Sequence, residues 1–498
     1  MSETVESVFI GVSHTEYGLV YASALQFNNV IIAHGSLLHR LYYENFSCHI
    51  TPDVYKALRD ELSKQQLFVE NPTNVTFNFE VIGPNKNDDM QYETQEARLC
   101  SLYTHDSLKE FYVNYENMDQ NANQYIEISS DFLILMIGPS KRRFVQTFFT
   151  LLRLIEKTAF NTGLEVCVES TPFNDLLFHN SLARGIISKT YGTDGEQFLM
   201  DVSLVPGVEG APIYVFKSGK KDSIIGIVVC VLTNQEPGFS LCLNLKALLH
   251  GYINSHSQSF VPMLVYSAVR QNQKSSSPLN MELLSSAVLF VRSGHSWGSG
   301  VVVNAEHGIV LSCAHVVNND VNNVYVVFNG ERYPAKVLFT NLTDLPFDIA
   351  VLCVGNIPGL GSLIMATESP VVGEAVFAVG FPLSTESAII ENGTPTVTGG
   401  CISKISPDGG PVHVSCCIHA GLSGGALLRP PNQLLGLITS NLSTDCMIYY
   451  HYGMILSVDD FRNIIVNYIQ TRDPTCLKLL TVRREDLRIK WLKLEGKL

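Results

Sequence analysis

Three residues of this chain, His315, Asp348 and Ser423, have the types and the order that acyl transfer requires. A serine hydroxyl is a weak nucleophile near neutral pH and needs a base within hydrogen-bond reach. His315 is placed to be that base. It follows the apolar run Ile309 to Ala314, which reads as a buried strand with the histidine just beyond its end. Asp348 opens a second apolar run, Ile349 to Leu352. From there it can accept a hydrogen bond from the other ring nitrogen, fixing the tautomer and stabilising the imidazolium. Ser423 lies in Gly421-Leu422-Ser423-Gly424-Gly425, whose glycines permit a tight turn. The amides of Gly421 and Ser423 are then the candidate oxyanion hole. Taken singly, each piece has an ordinary reading: a structural histidine, an acid at a strand start, a glycine loop. Taken together they suit a triad. His315 and Asp348 are 33 residues apart and Asp348 and Ser423 75, gaps that fit a base and an acid on one barrel and a nucleophile on another.

The elements that hold these residues sit in a chain of globular composition. Of its 498 residues, 46% are hydrophobic and 16% charged, enough to bury two to four domains. The formal net charge of −13, with no basic stripe, argues against a nucleic-acid partner. The longest apolar runs, such as Ile224 to Leu232, are too short to span a bilayer, so no membrane partner is expected. Glu3 and Glu6 stand where a signal peptide would carry basic residues, so no signal peptide is read there. Of twelve cysteines, Cys230, Cys242, Cys313 and Cys353 fall inside apolar strands and are expected as reduced thiols. No Cys-x-x-Cys or Cys/His cluster has metal spacing, and the adjacent Cys416-Cys417 cannot easily chelate one ion; no metal or cofactor is expected.

The first half repeats the second with the chemistry removed. Gly185-Ile186-Ile187-Ser188-Lys189 matches Gly400-Cys401-Ile402-Ser403-Lys404, and Pro172-Phe173 matches Phe381-Pro382. Gly207-Val208-Glu209-Gly210-Ala211 lines up with Gly421 to Gly425, so Glu209 stands at the position of Ser423. Val30-Ile31-Ile32-Ala33-His34 weakly echoes the strand before His315 but is one residue short. A glutamate cannot serve as an activated hydroxyl, so the first half is read as degenerate. Residues 82 to 97 are polar and unpatterned and read as a long loop. Gln271 to Pro278 reads as a linker. Ser457-Val458-Asp459-Asp460 opens a helix with a cap and an acidic first turn, and Phe461, Ile464, Ile465 and Tyr468 form its apolar face.

These residues resemble the trypsin-like serine proteases, and within them the HtrA/Deg branch. The resemblance is carried by Trp297-Gly298-Ser299-Gly300, by Leu311-Ser312-Cys313-Ala314-His315-Val316, by Ala378-Val379-Gly380-Phe381-Pro382 and by the Ser423 loop, over about residues 284 to 470. It departs at Leu422, where the branch usually has Asn or Asp, and at Ala426, where it usually has Pro. Leu422 cannot pair with a freed amino terminus, so activation by a zymogen salt bridge is not expected. The resemblance implies an all-β fold of two tandem chymotrypsin-like double barrels, the first degenerate, with a C-terminal helix. The divisions are 1–268 for the degenerate domain, 269–281 for the linker, 282–475 for the catalytic domain and 476–498 for the tail. Only 25 residues, 474 to 498, follow the last helix, too few for a PDZ domain.

In this fold the residue six before the nucleophile lines the base of the primary specificity pocket. Here that is Cys417, with Ser440 and Asn441 on the opposite wall. An uncharged pocket base implies small, apolar or thiol side chains rather than basic ones. The chain ends Gly496-Lys497-Leu498, which differs in one small residue from the peroxisomal tripeptide Ser-Lys-Leu; a solvated tail is the alternative. With the degenerate first half, that ending extends the resemblance to proteases that process peroxisomal proteins. It implies presequence-bearing peroxisomal enzymes as polypeptide substrates, cut next to a cysteine, and an import receptor bound by the C-terminus. A broad quality-control protease and a non-catalytic binding module on the same fold stay open, as does self-association. Cys100 is either a self-cleavage site or a half-buried thiol at a strand start, and Cys446 is a candidate redox position.

Overall fold

The computed structural model describes residues 5–46, 52–63, 77–85, 88–109, 130–138, 141–155, 161–192, 195–205, 207–232, 238–255, 278–341, 347–382, 393–405, 411–444 and 447–481. The linker residues Gln271 to Ser277, Cys446 and the terminal tripeptide Gly496 to Leu498 lie outside them. The chain divides into two compact units. One is Met1–Ile186 with Thr190–Ser275, the other Ile187–Lys189 with Ser276–Leu498.

The first unit holds two closed barrels. One is built from β1 (Val5–His14), β2 (Gly18–Phe27), β3 (Val30–His34), β4 (Phe77–Asn85), β5 (Asp88–Thr104) and β6 (Asp131–Ile137), in the ring order β1-β2-β3-β6-β5-β4. The other is built from β7 (Glu165–Ser170), β8 (Ser181–Tyr191), β9 (Gln197–Met200), β10 (Pro212–Lys217), β11 (Lys220–Leu232) and β12 (Phe239–Asn244), in the order β7-β8-β9-β12-β11-β10. Counted from its own first strand, each barrel therefore runs 1-2-3-6-5-4. Closure removes the sheet edges that would otherwise expose unpaired amides. Fully buried runs such as Val30 to His34 supply the walls.

The second unit shows that order in one of its two sheets. Its first sheet runs β17-β16-β13-β14-β15-β19-β18, from β13 (Val288–Ser293), β14 (Ser296–Asn304), β15 (Ile309–Ser312), β16 (Val324–Phe328), β17 (Glu331–Pro334), β18 (Lys336–Thr340) and β19 (Ala350–Cys353). The second comprises β20 (Ile364–Met365), β21 (Ala375–Gly380), β22 (Thr396–Ile405), β23 (Val412–Val414), β24 (Ala426–Arg429), β25 (Gln433–Thr444) and β26 (Met447–Ser457). The pairing of β25 with β26 closes β21-β22-β23-β26-β25-β24 into a ring, and β20 adds to β25 in parallel. The fold is thus the expected all-β tandem of double barrels.

The C-terminal helix is Val458–Thr471. The Ser457 side chain accepts the amide of Asp459, and Phe461, Ile465 and Tyr468 are buried. All ten described cysteines are free. No helix among the described residues is long and apolar enough to cross a membrane.

One expectation is overturned. Residues 82 to 97, read as a loop, belong to the β4–β5 hairpin, with Phe79 opposite Ala97 and Pro84 opposite Tyr92. On β5, Glu93 to Glu96 are polar and exposed, opposite Gly83 to Glu80 of β4. There the pairing is held by backbone hydrogen bonds with no apolar face to reveal it.

Asp131 opens β6 fully buried. Its carboxylate is held by Arg59 Nε at 2.7 Å, Tyr55 Oη at 2.9 Å and Thr104 Oγ1 at 2.5 Å. Burial pushes its pKa up, and the Arg59 charge opposes that. Arg59→Met should therefore cost about 3 kcal/mol in urea unfolding at neutral pH, because it leaves a buried charge unpaired. Adding Asp131→Asn should recover part of the loss. The cost should also shrink as pH falls and the carboxyl takes up a proton.

Candidate active site

The pairing of β15 with β19 sets Ser312 opposite Ala350. His315 follows β15 in a single helical turn, Ala314–Val317, and Asp348 precedes β19, so the ladder brings them together. His315 Nδ1 lies 2.5 Å from Asp348 Oδ2, and the His315 amide donates to Oδ1 at 3.0 Å. One carboxylate thus fixes both the ring and the backbone of the histidine. The His315 side chain is 45% exposed and that of Asp348 21%, so the base is reachable while its partner is shielded. Cys313 lies behind them. Burial, and then the Asp348 carboxylate, push its thiol pKa well up. Cys313, His315 and Asp348 are the one set among the described residues whose ligand-type atoms lie within 4.8 Å of one another. A metal there would have to displace that thiol proton and open the His315–Asp348 bond.

Ser423 sits in a turn whose shape is set by close approaches. Gly421 and Gly424 have φ of +94° and +82°. A Cβ on Gly424 would stand 2.2 Å from Ser299 O. The Gly424 amide donates to Ile438 O at 2.8 Å, and that of Gly425 to Leu422 O at 2.8 Å. Among the described residues no backbone carbonyl takes the amides of Gly421 or Ser423. The turn is pinned from β14. Ser299 Oγ donates to Gly421 O at 2.7 Å and accepts from the Phe381 amide at 2.9 Å, and the Ser299 amide donates to Ser423 O at 2.8 Å. A Cβ on Gly298 would meet both Ser423 O, at 2.8 Å, and Val316, at 2.7 Å. The nucleophile turn and the turn carrying His315 therefore flank one glycine. Ser423 Oγ donates to Thr439 O at 3.1 Å. Leu422, the departure from the HtrA/Deg pattern, is fully buried and reaches the backbone of Gly380.

Cys417 is buried, its carbonyl accepting from Thr398 Oγ1 at 2.9 Å and its sulfur 3.1 Å from His419 Nε2. Burial, and then the charge of His451, hold the His419 pKa down to about 4, so that imidazole is neutral. Asn441 Nδ2 donates to Ile418 O at 2.7 Å, and Ser440 and Asn441 line β25 opposite Met454 and Gly453. A Cβ on Gly453 would stand 2.1 Å from Ile418 Cδ1. Ile418, absent from the sequence reading, is thus a wall of this region. Only the cross-strand pairing reveals it.

Glu209 lies in a turn that shares several bonds with that of Ser423. Ser23 Oγ donates to Gly207 O at 3.3 Å and accepts from the Thr171 amide at 3.1 Å, as Ser299 does with Gly421 and Phe381. A Cβ on Gly210 would meet Ser23 O and His34 N, as one on Gly424 meets Ser299 O and Cys313 N. His34 therefore occupies the place of Cys313, and Ser36 that of His315. Since Ala33 pairs with Leu133 as Ser312 pairs with Ala350, Asp131 is the counterpart of Asp348. Sequence reading missed it, although Asp131-Phe132-Leu133-Ile134-Leu135 echoes Asp348-Ile349-Ala350-Val351-Leu352. Cys100 is fully buried within β5 rather than half-buried at a strand start, and its neighbouring peptide bonds are not offered to a protease while the barrel is closed.

Residues 298–437 match the family model of the trypsin-like peptidase domain. The second unit thus contains a segment similar to trypsin-like peptidase domains. The chain is 26% identical over 347 residues to the peroxisomal leader peptide-processing protease of Homo sapiens, covering 66% of this chain and 60% of the relative. It is 26% identical over 332 residues to that of Mus musculus, covering 63% and 56%. It therefore spans less than two thirds of the length of these relatives. The periplasmic serine endoprotease DegP of Escherichia coli (strain K12) is 29% identical over 156 residues, covering 30% of this chain and 31% of the relative. The resemblance to HtrA-like and peroxisomal processing proteases read from the sequence is thus found directly.

Ser299→Ala in the second unit should leave the Phe381 amide and Gly421 carbonyl without their shared partner. Unfolding free energy should fall by about 1–3 kcal/mol. Labelling of Ser423 by a fluorophosphonate should slow about a hundredfold, because the turn loses its placement.

Proposed function

We propose that this chain is a serine endopeptidase in which Ser423 attacks, His315 moves the proton and Asp348 holds the histidine. The observation that carries this reading is the fixed His315–Asp348 pair beside a turn whose two inner amides have no backbone partner among the described residues. Ser423 Oγ exchanges its hydrogen bond to Thr439 O for one to His315 Nε2. It then gives up its proton to that nitrogen as it bonds to the scissile carbonyl carbon. The amides of Gly421 and Ser423 receive the negative oxygen. His315 passes the proton to the departing amine, leaving an acyl-enzyme. Water, deprotonated by His315, cleaves the ester, and Ser423 regains its proton.

The substrates we propose are enzymes of the peroxisome bearing N-terminal targeting presequences, and the peroxisome is the proposed residence. Support comes from the names of the human and mouse relatives. The pocket agrees in kind. Cys417 brings no fixed charge and Ile418 crowds the Gly453 wall, which favours a small uncharged side chain.

Incubated with a fluorophosphonate probe, the full chain should label at one serine, and Ser423→Ala should not label. Ser423→Ala should also lower peptide hydrolysis by about four to six orders of magnitude. A wild-type chain that is folded yet unlabelled would refute the reading. Cys417→Asp should raise cleavage after Lys and Arg in a peptide library; an unchanged side-chain preference would remove Cys417 from the pocket.

A further inference from the structure

We infer that the first unit keeps a second anion hole, formed by the amides of Gly207 and Glu209, and that its ligand is the chain's own Glu209 carboxylate. The turn has kept the backbone of the protease turn. The Gly210 amide donates to Val228 O at 2.9 Å, that of Ala211 to Val208 O at 3.0 Å and that of Val228 to Ala211 O at 3.0 Å. The bonds of Gly424, Gly425 and Ile438 repeat these three at 2.8, 2.8 and 2.9 Å. Gly207 and Gly210 keep positive φ, +97° and +91°. A turn so alike in shape aims the same two amides inward.

In the protease turn those amides meet no backbone carbonyl among the described residues. In the first unit they meet a side chain. The Gly207 amide donates to Glu209 Oε2 at 3.0 Å, and the Glu209 amide lies close enough to pull the same carboxyl's pKa down. A serine side chain is too short to fold back onto its own amide and that of the residue two before it, whereas glutamate, two atoms longer, reaches both. Glu209 is partly buried, between the buried Val208 and Gly210. Burial raises its pKa, while the two amides and then the Arg40 charge pull it back down. The groups that stabilise the anion most are therefore the amides of the turn, ahead of the nearest cation. Glutamate at the nucleophile position is thus more than an inert replacement. It supplies an oxygen anion where a tetrahedral intermediate would have put one, satisfies two amides that burial would otherwise leave costly, and bars a substrate carbonyl from entering. The chemical class the hole accepts is a small planar carboxylate. This inference does not rest on the proposed function of the second unit.

The test is hydrogen–deuterium exchange of peptides spanning Gly207 to Ala211 in the full-length protein. Glu209→Gln keeps an acceptor oxygen at the same reach and should exchange nearly as slowly as wild type. Glu209→Met keeps the bulk without an acceptor, and Glu209→Ala empties the hole; both should exchange about tenfold faster there. Added sodium formate should restore protection in Glu209→Ala, with sodium chloride at matched ionic strength doing so less, and should leave Glu209→Gln unchanged. Should Glu209→Ala not fold, Glu209→Met against Glu209→Gln still separates volume from acceptance. Wild-type protection in Glu209→Met, or no effect of formate on a folded Glu209→Ala, would overturn the assignment.

Discussion

The second unit depends on one hydroxyl. Ser299 Oγ, on a strand of the first sheet, binds the carbonyl of Gly421 in the nucleophile turn and the amide of Phe381 at the end of β21. Three segments far apart in sequence meet at one oxygen, and the glycines around it follow from that closeness. A Cβ on Gly380 would stand 2.5 Å from Ser299 Oγ, and one on Gly424 2.2 Å from Ser299 O. The turn is therefore rigid because neighbouring backbone leaves it nowhere to go. Each net hydrogen bond is worth only about 1 kcal/mol, but a buried amide left without a partner costs more, so the node resists piecemeal loss.

Ser23 builds the same node in the first unit, around a turn without a hydroxyl nucleophile. Comparison of the halves separates what the fold needs from what chemistry needs. The serine pin and the positive-φ glycines persist in both, and the 1-2-3-6-5-4 strand order recurs in the second sheet of each unit. The reacting side chains do not. Glu209 stands for Ser423 and Ser36 for His315. Asp131 remains an aspartate but is committed to Arg59, Tyr55 and Thr104.

How much of this could be read from the sequence follows from where each signal resides. The His315, Asp348 and Ser423 segments were legible because strand, turn and reactive side chain fall within a few consecutive residues. Glu209 was legible because its turn keeps two glycines in phase with Gly421 and Gly424. Asp131 was not, since Ser36 and Asp131 are 95 residues apart against 33 for His315 and Asp348. The helices Ser36–Phe46 and Pro52–Ser63 and the long β4–β5 hairpin fill the difference. Lengthening a connection costs little closure entropy, so such insertions are tolerated and erase spacing as a guide. The hairpin itself escaped notice because Glu93 to Glu96 are all polar and exposed, so β5 shows no alternation there. Ile418 was hidden because its role depends on Gly453 lying across the sheet, and cross-strand register is not written locally.

The paired turns also show which part of a motif testifies to what. Gly207 and Gly210 are held to glycine by close neighbours, Asn174 and Ser23: a Cβ on Gly207 would stand 2.3 Å from Asn174 Nδ2. That steric demand for glycine holds whether or not a turn carries a nucleophile. A search profile weighted toward glycine would then count two enzymes in this chain. The residue between them is where the two turns differ in chemistry, Ser423 in one and Glu209 in the other, on a backbone turn that both share.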